Sequence, residues 1–324
     1  MLADTPGIHH VTGIVGAGQP AVDFYAGTLG LRLLHTTVNY EDVLQHHLYF
    51  GTGSGRPGSV FTVFPDPQGD PGRTGRPGYE SVAFAVPPGS LSDWHERLSD
   101  GGHPVCDVDP EDRFGDDVLR TADPSGTTVE LVASGGPGAP DCDRSGDSVA
   151  VRGLYGVTAL PTDPYGAASV LDTLGFDYAA ESGERIRYRA PGDRATVVDL
   201  LDRDGAYVRE GPGTLHHVAV RVPDRDALLD WHRLFRERGV DVSRVKDRHF
   251  FHSLYVRGPG GLLVELATEA PTPDGPASDG LADSDVDGHA TELSLPPRFA
   301  DRRSLIEDHL PRIELPGSTE VTEE

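Results

Sequence analysis

The chain has 324 residues, with 28 basic against 52 acidic side chains and a formal net charge of −24. That balance argues against nucleic acid as a partner, since phosphate contacts need clustered Lys and Arg. It suits instead a halophilic, high-salt interior where screening quenches repulsion between carboxylates. No run approaches the roughly 18 consecutive apolar residues of a membrane span, and the two cysteines, Cys106 and Cys142, fall in no metal-ligand spacing and make no disulfide framework.

At the start of the chain, residues 1–7 carry no basic segment and no apolar stretch, so a cytoplasmic protein is the expectation. From there one unit repeats four times. The first, residues 5–70, has a strand through His10, a helix ending Thr28-Leu29-Gly30-Leu31 and a last strand over 59–64. The second, residues 76–134, has a strand over 82–87 and an amphipathic helix over 91–98 with a Gly101-Gly102 stop. Its last strand is Thr127-Thr128-Val129-Glu130-Leu131. Residues 135–147, rich in Gly, Pro and Asp, read as a linker between halves.

The third unit, residues 149–204, has a first strand through Gly156, a helix ending Thr173-Leu174-Gly175-Phe176 and a last strand over 195–200. The fourth, residues 212–270, has a strand through His217, a helix over 228–234 followed by Gly239, and a last strand over 262–266. Residues 271–287 read as loop, and the tail, residues 288–316, carries one short helix around 302–310. The class is therefore α+β, built of four βαβββ modules. The first resembles the third and the second resembles the fourth, as in a duplicated two-module protein.

Two positions recur in each module: the middle of the first strand and the acid position near the end of the last. They hold His10 and Thr62, Ser81 and Glu130, Gly156 and Asp199, and His217 and Glu265. Only the fourth module has both ligand types and only the first adds another His. One complete site is available, from His10, His217 and Glu265, and it requires modules one and four to face each other. Successive strand residues point to opposite faces. His217 then shares a face with Ala219 and Arg221, and His10 with Thr12, which suits a cavity. His216 falls with Val218 and Val220, and His9 with Val11, on the helix-packed face. Glu265 points away from Leu262, Val264 and Leu266, and Tyr255 away from Leu254 and Val256. Two imidazoles and one carboxylate on one side of a metal leave open coordination positions, the pattern of non-haem iron(II) oxygenases. Zinc and manganese suit the same ligands. His46-His47 reads as an ordinary core pair, since nothing in the repeat supports it.

Paired βαβββ units with ligands on the first and last strands resemble the vicinal-oxygen-chelate superfamily of glyoxalases, antibiotic-resistance proteins and extradiol dioxygenases. Within it the chain is similar to hydroquinone ring-cleaving dioxygenases. The matching segments are Gly7-Ile8-His9-His10-Val11-Thr12, His47-Leu48-Tyr49-Phe50, Leu215-His216-His217-Val218, Asp247-Arg248 through Tyr255-Val256-Arg257 to Glu265, and Leu293-Ser294-Leu295-Pro296-Pro297. The resemblance implies two paired-module open barrels. Modules one and four form a metal barrel holding Fe(II) on His10, His217 and Glu265, and modules two and three a metal-free one. It implies that Thr12, His216, Arg248, Tyr255 and His9 contact the substrate or support the ligands, and that the partners are a small aromatic diol and O2. Tyr255 and Arg248 are expected to compensate charge developing on the substrate, and His216 or His9 to move protons. A homo-oligomer is compatible with the sequence, which does not set the oligomeric state.

Three rivals stay open. A glyoxalase-type isomerase usually presents four protein ligands, against which Thr62 at the first module's acid position argues. A metal-dependent thiol transferase uses three similar ligands on a much shorter chain. A non-enzymatic protein that sequesters aromatic ligands needs no metal at all.

Overall fold

The computed structural model describes residues 2, 4–108, 113–134, 149–269, 290 and 292–314. The expected linker at 135–147, the loop at 271–287 and Cys142 lie outside the described residues.

Each module is a strand, a helix and a run of strands. The first comprises β1 (Ile8–Val15), α1 (Gly18–Val22), which continues as a wider π-type turn (Asp23–Thr28), β2 (Arg32–Val38), β3 (His46–Gly51) and β4 (Val60–Pro65). The second comprises β5 (Gly78–Val86), α2 (Leu91–Asp100), β6 (Val105–Val108), β7 (Asp117–Ala122) and β8 (Thr128–Ala133). The third comprises β9 (Gly153–Leu160), α3 (Pro164–Leu174), β10 (Asp177–Ser182), β11 (Arg185–Arg189) and β12 (Val197–Leu201). The fourth comprises β13 (Thr214–Val222), α4 (Arg225–Glu237), β14 (Asp241–Val242), β15 (Lys246–Asp247), β16 (His252–Arg257) and β17 (Leu263–Thr268). In the tail, a 3-10 turn (Pro297–Arg302) leads into α5 (Arg303–His309).

The helices form where side-chain caps and apolar spacing coincide. Asp224 accepts the Ala227 N–H to open α4, and Leu228, Trp231 and Phe235 fall on its one buried face. Asp163 and Pro164 start α3, and Gly175, at φ 89°, ends it in the left-handed conformation. Trp94 of α2 is fully buried and donates its indole N–H to the Val149 carbonyl at 2.9 Å. Burial of such a ring typically contributes about 3–5 kcal/mol against Ala.

The strands form one continuous sheet that bends into two open barrels. In the first, β1 runs antiparallel to β13, with β4 parallel to β1 and β17 parallel to β13. In the second, β5 runs antiparallel to β9, with β8 parallel to β5 and β12 parallel to β9. A single Leu215–Tyr79 pairing joins the two. In each barrel two modules meet along their antiparallel first strands. No helix among the described residues is long and apolar enough to cross a membrane.

Candidate metal centre

The register of the first barrel assembles a polar face. Thr12 lies opposite His217, and His10 opposite Ala219. Glu265 lies beside Ala219 on the parallel strand, and Tyr255 beside Glu265. His10 Nε2 is 3.2 Å and His217 Nε2 2.8 Å from Glu265 Oε2, and one ligand atom from each of the three lies within 4.8 Å of the other two. All three side chains are buried. Despite these approaches, Oε2 accepts no hydrogen bond of ordinary geometry and is an orphaned buried acceptor. Such a group is costly unless something else satisfies it. Ligand atoms bonded to one ion at about 2.0–2.2 Å sit roughly 3 Å apart. The donor set and its spacing therefore fit a divalent cation.

Charge states agree. Burial alone would raise the Glu265 carboxyl, but the close approach of the His10 and His217 imidazoles outweighs it and holds the group well below the usual carboxylate range. Burial pushes the His217 imidazole down to about 4, with Glu265 opposing. At neutral pH these two offer an ionised carboxylate and a neutral imidazole, the forms that bind metal.

His9 and His216 depart from simple alternation. The β1–β13 register slips between Ile8 and His10, and again between Thr12 and Gly13, where β13 carries His216 between Leu215 and His217. Each histidine is the extra residue of a β-bulge, which turns its ring toward the ligand that follows instead of the helix-packed face. The Nδ1 atoms of His9 and His10 are 2.9 Å apart, and those of His216 and His217 2.6 Å. One proton serves each pair. If the ligand's Nδ1–H donates to the preceding imidazole, its Nε2 is left free for the metal. His9 is buried against Phe251 at a ring separation of 5.1 Å, and His216 reaches toward Glu210 at 3.7 Å. Neither lines the cleft.

The cleft in front of the three ligands encloses about 360 Å³, counting the part open to solvent. Tyr40, Tyr49, Phe64 and Phe251 give it apolar walls, and Tyr255, Arg248, Asn39 and His47 polar ones. The Tyr255 hydroxyl accepts a hydrogen bond from Arg248 Nη2 at 3.0 Å. A tight turn aims Arg248: its N–H bonds the Phe251 carbonyl, and His249 takes a left-handed φ of 69° with its N–H on Asp247. Burial first, then the Glu265 charge, raises the Tyr255 hydroxyl well above its ordinary value, so it stays protonated. Beside Phe251 in the chain, Phe250 packs on His35 and His252 is only half-buried.

Thr12 stands outside the cleft lining and beside His217, with its hydroxyl 2.8 Å from that of Thr62 and 3.1 Å from His217 Nε2. His47 is no ordinary core histidine. Its ring sits between Tyr49 and Phe64, each 4.2 Å away, and its Nε2 is 2.9 Å from the Thr62 hydroxyl. Alternation along β3 carried the signal, since Leu48 and Phe50 take the core face and leave His47 and Tyr49 the other. His46 does behave as a structural residue, bonding the Pro311 carbonyl at 2.8 Å.

The second barrel shows what the same positions become without ligands. Ser81 and Gly156 replace the histidines, while Glu130 and Asp199 keep the acid positions. Arg113 inserts between them, paired with Glu130 and 3.0 Å from Asp199, with Arg185 and Arg187 also on Asp199.

With this geometry in hand, known proteins give a consistent comparison. A Bacillus subtilis protein named as a ring-cleaving dioxygenase, MhqO, is 35% identical over 314 residues, 96% of this chain and 97% of that one. A chlorohydroquinone/hydroquinone 1,2-dioxygenase of Sphingobium indicum is 33% identical, over 81% of this chain and 84% of its own. A crystal structure of a Bacillus subtilis protein described as a dioxygenase superposes with a TM-score of 0.86 at 33% identity, covering 97% of this chain and 99% of that one. A family profile matches residues 7–131 and 171–266. The chain belongs to the Glyoxalase/Bleomycin resistance protein/Dioxygenase superfamily.

Proposed function

We propose that the protein is an iron(II)-dependent, extradiol-type dioxygenase that opens the ring of a hydroquinone or catechol. The observation that carries this reading is the convergence of His10 Nε2 and His217 Nε2 on the orphaned Glu265 Oε2, at the floor of a cleft with aromatic walls. The relatives named as ring-cleaving and hydroquinone dioxygenases support the reaction class. Division into a metal barrel, modules one and four, and a metal-free barrel, modules two and three, belongs to the same proposal.

Iron bound there supplies a positive charge, which acidifies a diol hydroxyl, and open positions for the diol and O2. The protein's residues do the rest. Tyr40, Tyr49, Phe64 and Phe251 hold the planar ring and keep water from it. Tyr255, protonated and braced by Arg248, offers a hydrogen bond where negative charge gathers on the substrate's oxygen. Arg248 adds a fixed positive charge at that end of the cleft. His9 and His216 hold His10 and His217 in the tautomer and orientation that present Nε2. Both atoms of O2 enter the product as one carbon–carbon bond breaks, so no external reductant is consumed.

The test is anaerobic loading with iron(II), followed by oxygen uptake on a panel of catechols and hydroquinones. One O2 consumed per ring opened supports the proposal. Absence of uptake with every diol, in protein shown to hold stoichiometric iron, overturns it.

A further inference from the structure

Most polar groups that line the cleft of the first barrel are already engaged within the protein. Arg248 and Tyr255 bond each other, and His47 Nε2 meets the Thr62 hydroxyl. The Asn39 amide donates to Gln45 Oε1 at 2.9 Å and accepts the Glu41 N–H at 3.0 Å. Tyr40 differs. Its hydroxyl is shut off from bulk solvent and makes no hydrogen bond of ordinary geometry, although the Thr37 hydroxyl stands near it, equally unpartnered. A buried hydroxyl left in this way is costly unless something that enters the cleft completes it.

Tyr40 follows β2, and β2 is joined to β1 only through β3 and β4. Its ring therefore enters the cleft from the strand of module one that lies farthest from the ligand strand. The surrounding charges follow the same division. Glu265 weighs on Tyr255 and Tyr49, whereas Arg298, Arg248 and Asp247 weigh on Tyr40. Burial pushes the Tyr40 hydroxyl up to about 12, so at neutral pH it is a donor. The tail of the chain backs the ring. Arg298 lies over it at 4.4 Å and the Phe299 ring packs on it at 5.7 Å. The tail is itself tied to β2: Leu293 bridges to Thr36, the Ser294 N–H bonds the Thr36 carbonyl at 2.9 Å, and Ile306 and Leu310 close on Val38.

Resting on the function proposed above, we infer that Tyr40 is the residue that selects a para-diol, by donating a hydrogen bond to the hydroxyl that stands across the ring from the metal centre. An ortho-diol can bring both oxygens to one ion. A para-diol can bring only one, and its second hydroxyl, carried to the far side of the ring, needs a partner in the cleft. Tyr40 supplies a donor that no ordinary hydrogen bond has claimed, and the substrate hydroxyl satisfies the orphaned phenol in return. A ligand without that hydroxyl leaves the phenol unpaired, which is how a buried polar group rejects an analogue. Arg298 and Phe299 stand outside the cleft lining and act through Tyr40 as positioning residues.

The test is anaerobic calorimetry of hydroquinone, phenol and catechol with iron-loaded wild type, Tyr40→Phe, Phe299→Ala and the double variant. Phenol lacks the second hydroxyl, and catechol carries it next to the first. Tyr40→Phe keeps the ring, so the wall and its packing on the tail are retained. Wild type is expected to bind hydroquinone about tenfold more tightly than phenol, the scale of one neutral hydrogen bond. Tyr40→Phe should erase that margin by weakening hydroquinone alone. Phe299→Ala should shrink the same margin, and it should add nothing to Tyr40→Phe, since both act on one contact. Wild type that binds hydroquinone no better than phenol overturns the inference. So does a Tyr40→Phe variant that retains the margin or that weakens all three ligands alike. A further loss of hydroquinone binding in the double variant overturns the part assigned to the tail. Oxygen uptake separates this inference from the reading beneath it: uptake by wild type with any diol leaves the dioxygenase standing whatever the binding results, and absence of uptake with every diol sinks both.

Discussion

At the residue scale, the chemistry rests on groups whose burial has been compensated. Tyr255 and Arg248 show how. The phenol is buried beside an ionised Glu265, which disfavours a second negative charge, and the guanidinium next to it points a donor at its oxygen. Tyr255 thus remains a donor at any working pH. Tyr255→Phe is expected to keep iron and fold but to lower kcat by about 10²–10³, the range for removal of one preorganised donor. Stopped-flow kinetics on the iron-loaded variant checks this, and an unchanged kcat would leave Tyr255 as a wall residue only.

The clustering of His10, His217 and Glu265 was legible in the sequence because repeat position and residue type pointed to the same side chains. His47 was not legible that way, because no other module has a histidine at its place. The alternation on β3 that exposes it means something only once the cleft is known.

At the element scale, the repeat of strand, helix and strands reads directly from apolar spacing, glycine stops and the paired tryptophans Trp94 and Trp231. The bulges do not. Alternation assumes an unbroken pleat, and an extra residue reverses the face of what precedes it. That is why His9 and His216 were placed under the helices when they in fact abut His10 and His217. Matching slips in the second barrel, between Tyr79 and Ser81 and between Ala83 and Phe84, show that the bulges belong to the module pairing itself.

The second barrel also carries a prediction. Arg113 bridges the buried Glu130 and Asp199, which also pair with Arg120 and with Arg185 and Arg187 respectively. Removing one member of such a cluster leaves buried charge unpaired and typically costs about 3–5 kcal/mol. Arg113→Met should lower the denaturant midpoint by a corresponding amount while iron content in the first barrel stays stoichiometric. An unchanged midpoint would mean that Arg120, Arg185 and Arg187 already satisfy the two acids.

At the scale of the whole molecule, two solution variables should act in opposite directions. The net charge of −24 makes the folded chain repel itself at low ionic strength. Screening shortens the reach of that repulsion from about 30 Å at 0.01 M salt to about 3 Å at 1 M. Tm is expected to rise between dilute buffer and molar KCl, and a flat or falling trend in scanning calorimetry would remove the high-salt reading. Acid acts the other way. His35 is buried, and burial, helped by the His249 charge, holds its imidazole down at about 3. The unfolded chain takes up that proton near pH 6.5 and the folded chain does not. Stability is therefore fully present above about pH 6.5 and falls as pH drops toward 3, by about 1.4 kcal/mol per pH unit for this group. Denaturant melts at pH 7.5 and 5 should show the loss, and His35→Leu should reduce it.

The central claim is that His10, His217 and Glu265 jointly hold one ion on which everything else depends. The most direct measurement is anaerobic iron(II) titration of wild type and Glu265→Ala, with folding verified by circular dichroism. The account predicts one tightly held equivalent in wild type and none in the variant, because two buried imidazoles without the carboxylate neither balance the ion's charge nor complete its face. Stoichiometric iron retained by folded Glu265→Ala would contradict it.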